Sequence, residues 1–365
     1  MADVSSFLMA TCQAGAEGAL KAEMARCWPD FRLAYSRPGF VTFKLPAASS
    51  FPPDFDFGLV FARTTSFSLG KIVGTDPAEM APRVWDLWGG RTVERIHVWQ
   101  REQTAPGDQD VSPGITAEAR EVAALLAGSC PQAAHLRRNA AAADRAARRG
   151  DAVLDCVLVE PGQWWIGHHV TRSLVSRWPG GIFDIAMPAD AVSRAYLKME
   201  EALRWSELPI PVGARCVELG SAPGGASQAL LAQQFEVIGV DPAAMAPTVV
   251  SLPRFTHIRR RVTQVQKREF RKVRWLAADM NVAPEYTLDA VESIVTHAEV
   301  HVRGLLLTLK LLDWKLADAL PGYLERVRGW GYNIVRARQL VSNRQEVCVA
   351  ALQKPFVRKS PLRRR

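Results

Sequence analysis

Two lysines and two acids at the ends of expected elements, Lys198, Asp279, Lys310 and Glu346, are the residues of this chain best suited to move a proton or hold a charged group. Lys198 lies in the helical segment S-R-A-Y-L-K-M-E-E-A-L; Asp279 follows W-L-A-A, Lys310 ends L-L-L-T-L-K and Glu346 opens E-V-C-V-A-A-L, all strand-like. A surface ion pair is the ordinary explanation for any one of them; Lys198 can pair with Glu201 about one turn along its own helix. Their setting is what separates them from that explanation. Between the first and the second lies V-E-L-G-S-A-P-G-G-A-S-Q-A-L, residues 217–230, which reads as a buried strand, a glycine-rich turn and the first turns of a helix. Gly220, Gly224 and Gly225 carry no side chains, so the turn, with Ala222 and Pro223 inside it, is expected to leave room for a ligand. Its backbone amides can approach a nucleotide or a nucleoside. The spacing is neither G-x-G-x-x-G nor a phosphate loop ending in Gly-Lys-Ser/Thr. Asp241 closes the next strand, F-E-V-I-G-V-D, where an acid can accept from ribose hydroxyls; the same residue can equally cap a helix ahead of Pro242.

The elements that must position these residues fall into a clear order. From 191 to 355, apolar strands alternate with helical segments: R-C-V-E-L-G, F-E-V-I-G-V-D, K-V-R-W-L-A-A-D, G-L-L-L-T-L-K-L, G-Y-N-I-V-R-A-R and E-V-C-V-A-A-L. That alternation predicts a parallel α/β sheet, with the last strand added as an antiparallel hairpin. In such a sheet the ligand lies beyond the carboxyl ends of the strands, where the glycine turn sits. Residues 178–190, with W-P-G-G-I and M-P-A-D, are expected to be a linker. Residues 1–65 read as strand, amphipathic helix, strand. Residues 66–177 add a strand, a helix around 77–88, a strand at 94–99, a long Ala/Arg-rich helix over 116–149 and two strands, A-V-L-D-C-V-L-V and Q-W-W-I-G-H-H-V. Arg137, Arg138, Arg145, Arg148 and Arg149 of that helix can face RNA or water.

The chain has 365 residues and a formal net charge of +9. Six basic residues and no acid stand in the last twelve, whose residues 356–365 form an expected basic tail; further clusters lie at 259–261 and 267–274. Such surface suits phosphate backbones, although a solvated face has the same composition. The six cysteines are scattered with no C-x-x-C pair, so neither a zinc site nor a disulfide framework is expected. No run approaches the roughly 18 apolar residues of a membrane helix, and the first residues lack a secretory leader. A cytoplasmic, membrane-free, monomeric protein is the expectation.

An acid before Leu-Gly followed by x-x-Pro-Gly-Gly resembles the S-adenosylmethionine loop of ribose 2′-O-methyltransferases. The order Lys198–Asp279–Lys310–Glu346 resembles the Lys-Asp-Lys-Glu tetrad of the heat-shock ribosomal RNA methyltransferase superfamily. Within it, the chain is most similar to the bacterial enzymes that 2′-O-methylate a cytidine of 23S, large-subunit, ribosomal RNA. The matching segments are L-K-M-E-E-A, E-L-G-S-A-P-G-G, V-D-P-A-A-M, A-A-D-M, T-L-K-L and R-Q-E-V-C-V, all in the C-terminal half. The resemblance implies a Rossmann-like S-adenosylmethionine-dependent methyltransferase domain preceded by an α+β region, ferredoxin-like over 1–65 and THUMP-type and RNA-binding over 66–177. It implies S-adenosylmethionine as cofactor, held by Gly220, Ala222, Pro223, Gly224, Gly225, Asp241 and Asp279, and ribosomal RNA or a large-subunit precursor as partner. Two positions depart from the family: Ala226 stands where Trp is usual, and Arg261 where an acid accepts from the adenine amino group, which an arginine cannot do.

A ribose 2′-hydroxyl is a poor nucleophile and must lose its proton near attack, so a positioned base within about 3 Å is required. Lys310 is the candidate base. Lys198 can stabilise the developing alkoxide, Asp279 can orient lysine and methyl donor, and Glu346 can hold Lys198 or the ribose. The transfer needs no covalent intermediate and no metal. The alternatives are methylation of another RNA target, or a non-catalytic RNA-binding ribosome assembly factor that kept the fold. A base N-methyltransferase would carry Asn/Asp-Pro-Pro-aromatic after the fourth strand, where this chain has Asp279-Met280-Asn281-Val282.

Overall fold

The computed structural model describes residues 5–47, 50–104, 114–131, 136, 140–142 and 145–353. Two compact units result. The first takes in Met1–Ala186, Leu312–Asp318 and Arg338–Val347; the second takes in Met187–Leu311, Ala319–Ala337 and Cys348–Arg365.

The first unit is built on β1 (Phe7–Cys12), α1 (Glu17–Cys27), β2 (Arg32–Arg37), β3 (Phe40–Lys44), β4 (Ala62–Val73), α2 (Pro77–Trp88), β5 (Arg95–Gln100), α3 (Ala117–Gly128), β6 (Ala152–Glu160) and β7 (Gln163–Val170). The strands form one sheet in the order β2-β3-β1-β4-β7-β6-β5. β4 is long enough to pair with β1 through its first half and β7 through its second, so it runs unbroken through the boundary expected at 65/66. α2 starts where Asp76 accepts from the Ala78 amide and Pro77 presets the first turn, and it stops at Gly89 with φ +66°. α2 and α3 pack together, and Met80, Val84, Trp85, Val122 and Leu126 share a core with Ile96, Leu154 and Ile166 of the sheet.

Three expectations change here. The helix expected over 116–149 ends at Gly128; Ser129 caps it, and Pro131 cannot continue it. Arg145, Arg148 and Arg149 therefore lie in irregular chain, while Arg137 and Arg138 are outside the described residues, as is the basic tail at 356–365. The first part of the expected linker is not a free connector: Pro179, Gly180 and Gly181 are buried, and a Cβ on Gly180 would lie 2.8 Å from Trp99 Cδ1. β2 was not foreseen, because R-L-A-Y-S-R has an exposed pattern; it is an edge strand held by pairing with β3.

The second sheet is made by β8 (Arg215–Leu219), β9 (Glu236–Val240), β10 (Phe255–Ile258), β11 (Trp275–Ala278), β12 (Gly304–Lys310), β13 (Ile334–Arg338) and β14 (Glu346–Leu352), in the order β10-β9-β8-β11-β12-β14-β13. The accompanying helices are α4 (Ala195–Ser206), α5 (Gly225–Ala232), α6 (Pro247–Val250), α7 (Pro284–Val295) and α8 (Leu320–Gly329). β8 pairs in parallel with β9 on one side and β11 on the other, so the winding direction reverses at β8. The crevice at such a reversal is where open α/β sheets bind ligands. β14 inserts between β12 and β13 rather than extending the edge. The central strands are apolar on both faces, with Val217, Leu219, Leu305, Leu307, Val347 and Val349 all fully buried. β10, like β2, is a short edge strand that local pattern did not reveal.

Candidate active site

The glycine turn joins β8 to α5 at the reversal point, beside the carboxyl ends of β9 and β11. Its glycines are required by the protein itself. Gly220 has φ +79°, and a Cβ there would lie 2.7 Å from the Asp279 carbonyl oxygen and 3.0 Å from Met280 Cα. A Cβ on Gly224, at φ +120°, would meet both Val249 methyls within 2.9 Å, and one on Gly225 would lie 2.7 Å from the Ser193 carbonyl oxygen. The space the missing side chains leave is thus filled by neighbouring chain. This corrects the expectation that it is open to a ligand: the glycines set the close approach of the chain after β11, of α6 and of the start of α4.

Asp241 is tied to that turn. One carboxylate oxygen accepts from the Ala222 amide at 3.1 Å and the other from the Ala243 amide at 2.8 Å. The carboxylate therefore braces the loop after β9 against the glycine turn, and its remaining lone pairs stay available to a hydroxyl. Ser221 Oγ lies 3.5 Å from Met245 Sδ, a second tie between the same two loops.

Asp279, just past β11, gathers two ammonium groups. Lys198 Nζ, from α4, lies 2.6 Å from Oδ2; Lys310 Nζ, the last residue of β12, lies 3.1 Å from Oδ1. All three side chains are mostly buried, with 11% to 18% exposure. Burial alone pushes the Asp279 carboxyl up, but the charges of Lys198 and then Lys310, with their hydrogen bonds, hold it below the ordinary carboxylate range. The trio thus sets two lysine nitrogens on one carboxylate beside the glycine turn, an arrangement able to hold an anionic oxygen or, from a lysine in its neutral form, to accept a proton. Lys198 thus reaches an acid far along the chain, beyond its own helix.

Glu346 falls in the first compact unit, at the start of β14, where its Oε2 accepts from Asn343 Nδ2 at 3.3 Å. In the same unit Asn343 and Gln339 meet Gln13: Gln13 Nε2 donates to the Asn343 carbonyl at 2.8 Å and Gln339 Nε2 to Gln13 Oε1 at 3.0 Å, all buried. Ala226 is buried in the first turn of α5, and Arg261 is exposed, its amide donating to Gln264 Oε1.

One residue of the turn motif, the acid before Leu-Gly, was given no role of its own by the sequence reading. Glu218 is fully buried in β8 and takes a short hydrogen bond from Ser227 Oγ on α5. Burial raises its carboxyl to about 8, against the Ser227 hydrogen bond and with help from Asp279 and Asp241, so it is protonated at neutral pH. The available signal was an acid inside an otherwise apolar strand next to a glycine turn.

A reversal-point crevice with a glycine turn, braced by an acid at the end of the second strand, defines a Rossmann-like methyltransferase fold. Residues 191–320 match the model of the FtsJ-like methyltransferases. The match takes in Lys198, Asp279 and Lys310. Among curated relatives, "Ribosomal RNA large subunit methyltransferase M" of Halorhodospira halophila is 32% identical over 180 residues, 48% of this chain and 51% of that protein. The protein of the same name from Laribacter hongkongensis is 32% identical over 184 residues, 47% and 51% of the two chains. The chain spans about half the length of the curated relatives it matches. Among solved structures, TrmN from Thermus thermophilus aligns over 96% of this chain and 99% of that one, at 15% identity and TM-score 0.35.

Proposed function

We propose that this chain transfers a methyl group to a ribose 2′-hydroxyl of RNA, with a cytidine of 23S ribosomal RNA as the target. The observation that carries the reading is the Lys198–Asp279–Lys310 trio set beside the glycine turn within the FtsJ-like segment. S-adenosylmethionine supplies the methyl group as an electrophilic carbon on a sulfonium. The donor set suits it: the turn from Gly220 through Ala222, Pro223 and Gly224 to Gly225 offers backbone groups, and Asp241 and Asp279 offer acceptors at the ends of β9 and β11, the strands on either side of β8.

Lys310 serves as the base that receives the 2′-hydroxyl proton. Lys310 and Lys198 are held on opposite oxygens of Asp279. Lys198 also steadies the developing alkoxide. Asp279 keeps both lysine nitrogens in place, with Lys310 as the free amine when it takes the proton, so the reacting oxygen meets a pre-set arrangement rather than two mobile side chains. The resemblance gives Glu346 the fourth place in the tetrad, as a positioning acid. The region before the methyltransferase domain, in which β4 runs through the boundary expected at 65/66, serves as a ferredoxin-like and THUMP-type RNA-binding region, with the catalytic domain at 191–355 and 356–365 as a basic tail. The enzyme works as a cytoplasmic monomer.

Methyl transfer from radiolabelled donor to 23S ribosomal RNA, measured for the parent and for Lys310→Ala, tests this. A base contributes about 10²- to 10⁴-fold. A loss of that size with donor binding retained supports the assignment; undiminished transfer sinks it. Mapping of 2′-O-methyl sites with and without the gene identifies the nucleotide.

A further inference from the structure

A second cluster of ionisable groups lies inside the first compact unit, with no part in methyl transfer. His97, Asp155 and His169 stand on the neighbouring strands β5, β6 and β7; His97 is the cross-strand partner of Asp155, and His169 is that of Val153, two residues before it. His97 and Asp155 are 1% exposed and the His169 side chain 12%. One ligand atom from each lies within 4.8 Å of the others.

The hydrogen bonds around the cluster fix where protons can be. His169 Nε2 is 2.8 Å from the Ser176 carbonyl oxygen, which only accepts, so Nε2 carries the hydrogen. In a neutral ring Nδ1 is then a lone pair, and it points at Asp155 Oδ2 from 2.6 Å. Ser66 Oγ donates to that same oxygen at 2.5 Å. A cation must therefore sit at Nδ1, either a proton or a metal ion. A proton satisfies that pair alone. Asp155 Oδ1 is buried and receives no hydrogen bond, and His97 Nε2 is also buried without a partner. His97 Nδ1 is 3.9 Å from Oδ1, too far for a hydrogen bond but inside the span of two atoms that each lie about 2.0–2.1 Å from one ion. A ligating histidine with its other nitrogen on a backbone carbonyl, and a carboxylate braced by a hydroxyl, is the usual supporting shell of a metal.

We propose that His97, Asp155 and His169 form a binding site for a divalent transition-metal ion of the zinc class, which pins β5, β6 and β7 together. Two imidazoles and a carboxylate are a zinc-type ligand set with a fourth position left for water. Burial keeps the His97 ring neutral, the ligating form, with its pKa lowered to about 3. Burial lowers the proton affinity of His169, but the Asp155 charge and hydrogen bond more than reverse this, so a proton competes with the ion for Nδ1.

The full-length protein, unfolded in urea with chelator and refolded with zinc or cobalt(II), decides the matter. After dialysis, one metal per chain is expected, with visible d–d bands in the cobalt form and a melting temperature a few degrees above that of the chelator-refolded protein. His97→Gln and Asp155→Asn should each lose the ion. If the parent retains no metal and shows no shift in melting temperature, the cluster is a proton-bridged ion pair and the proposal fails, whether or not the variants fold. Retention of a full equivalent by both folded variants places the ion elsewhere and also overturns it.

Discussion

Lys198 Nζ lies 2.6 Å from Asp279 Oδ2, on the opposite oxygen from the one that faces Lys310 at 3.1 Å. One carboxylate thus separates and orders two cations contributed by a helix and a strand far apart in sequence. Asp279→Asn keeps the shape but leaves two mostly buried ammonium groups facing each other. Removing one partner of such a pair costs about 3 kcal/mol, and methyl transfer should fall with it. The sign with pH follows from the depressed Asp279 carboxyl. Its contribution is present above the unfolded value of 3.8 and is lost as pH falls through the lower folded value. Urea unfolding of parent and variant should therefore differ at pH 7 and converge below about pH 4; a gap unchanged in acid counts against the ion-pair account.

Glu218 has the opposite linkage. Its carboxyl is raised from 4.5 to about 8, so the folded state holds a proton that the unfolded chain has released. The stability it contributes is full below pH 4.5 and drains away as pH rises towards 8. Glu218→Gln has the same shape and no titration. Relative to the parent, the variant should gain stability steadily between pH 5 and pH 8, read by urea melts at intervals. Parallel curves for the two proteins would mean that Glu218 is not the buried proton carrier.

Gly220→Ala tests whether the glycine turn is shaped by protein packing. The added methyl would meet the Asp279 carbonyl oxygen at 2.7 Å on a backbone at φ +79°. Left-handed backbone costs a non-glycine residue about 1–2 kcal/mol before the clash is counted. A drop in melting temperature should appear without any ligand present. A variant as stable as the parent that only loses donor binding would return the glycine's role to ligand clearance.

The basic clusters of the second unit should be visible in salt dependence. Arg260 and Lys272 are exposed, in the clusters at 259–261 and 267–274. Replacing either with Ala should weaken RNA binding for all sequences alike and lower the slope of log affinity against log salt by about 1. Fluorescence anisotropy at several salt concentrations measures this. An unchanged slope in both variants moves the phosphate contacts to another face.

Much of the catalytic half was legible in the residues. Apolar runs such as R-C-V-E-L and G-L-L-L-T-L-K can only be buried strands, and β8, β9, β12 and β14 lie within a residue of where periodicity puts them. The glycine turn was legible because no other residue tolerates its backbone. The edge strands β2 and β10 were not, since pairing with β3 and β9 holds them rather than any apolar pattern of their own. Nor was the end of α3, where Pro131 outweighs a run of alanines that favours continuing the helix.

Sequence alone determined which residues lie at strand ends: local hydrophobic period and turn chemistry act over a few neighbours, and those neighbours are adjacent in the chain. Only the tertiary structure decided how the charges pair. Lys198 reached Asp279; Glu218 reached Ser227; His97, Asp155 and His169 converged from three strands. Those choices depend on distance and burial in three dimensions, where a charge takes the partner that best repays its loss of water.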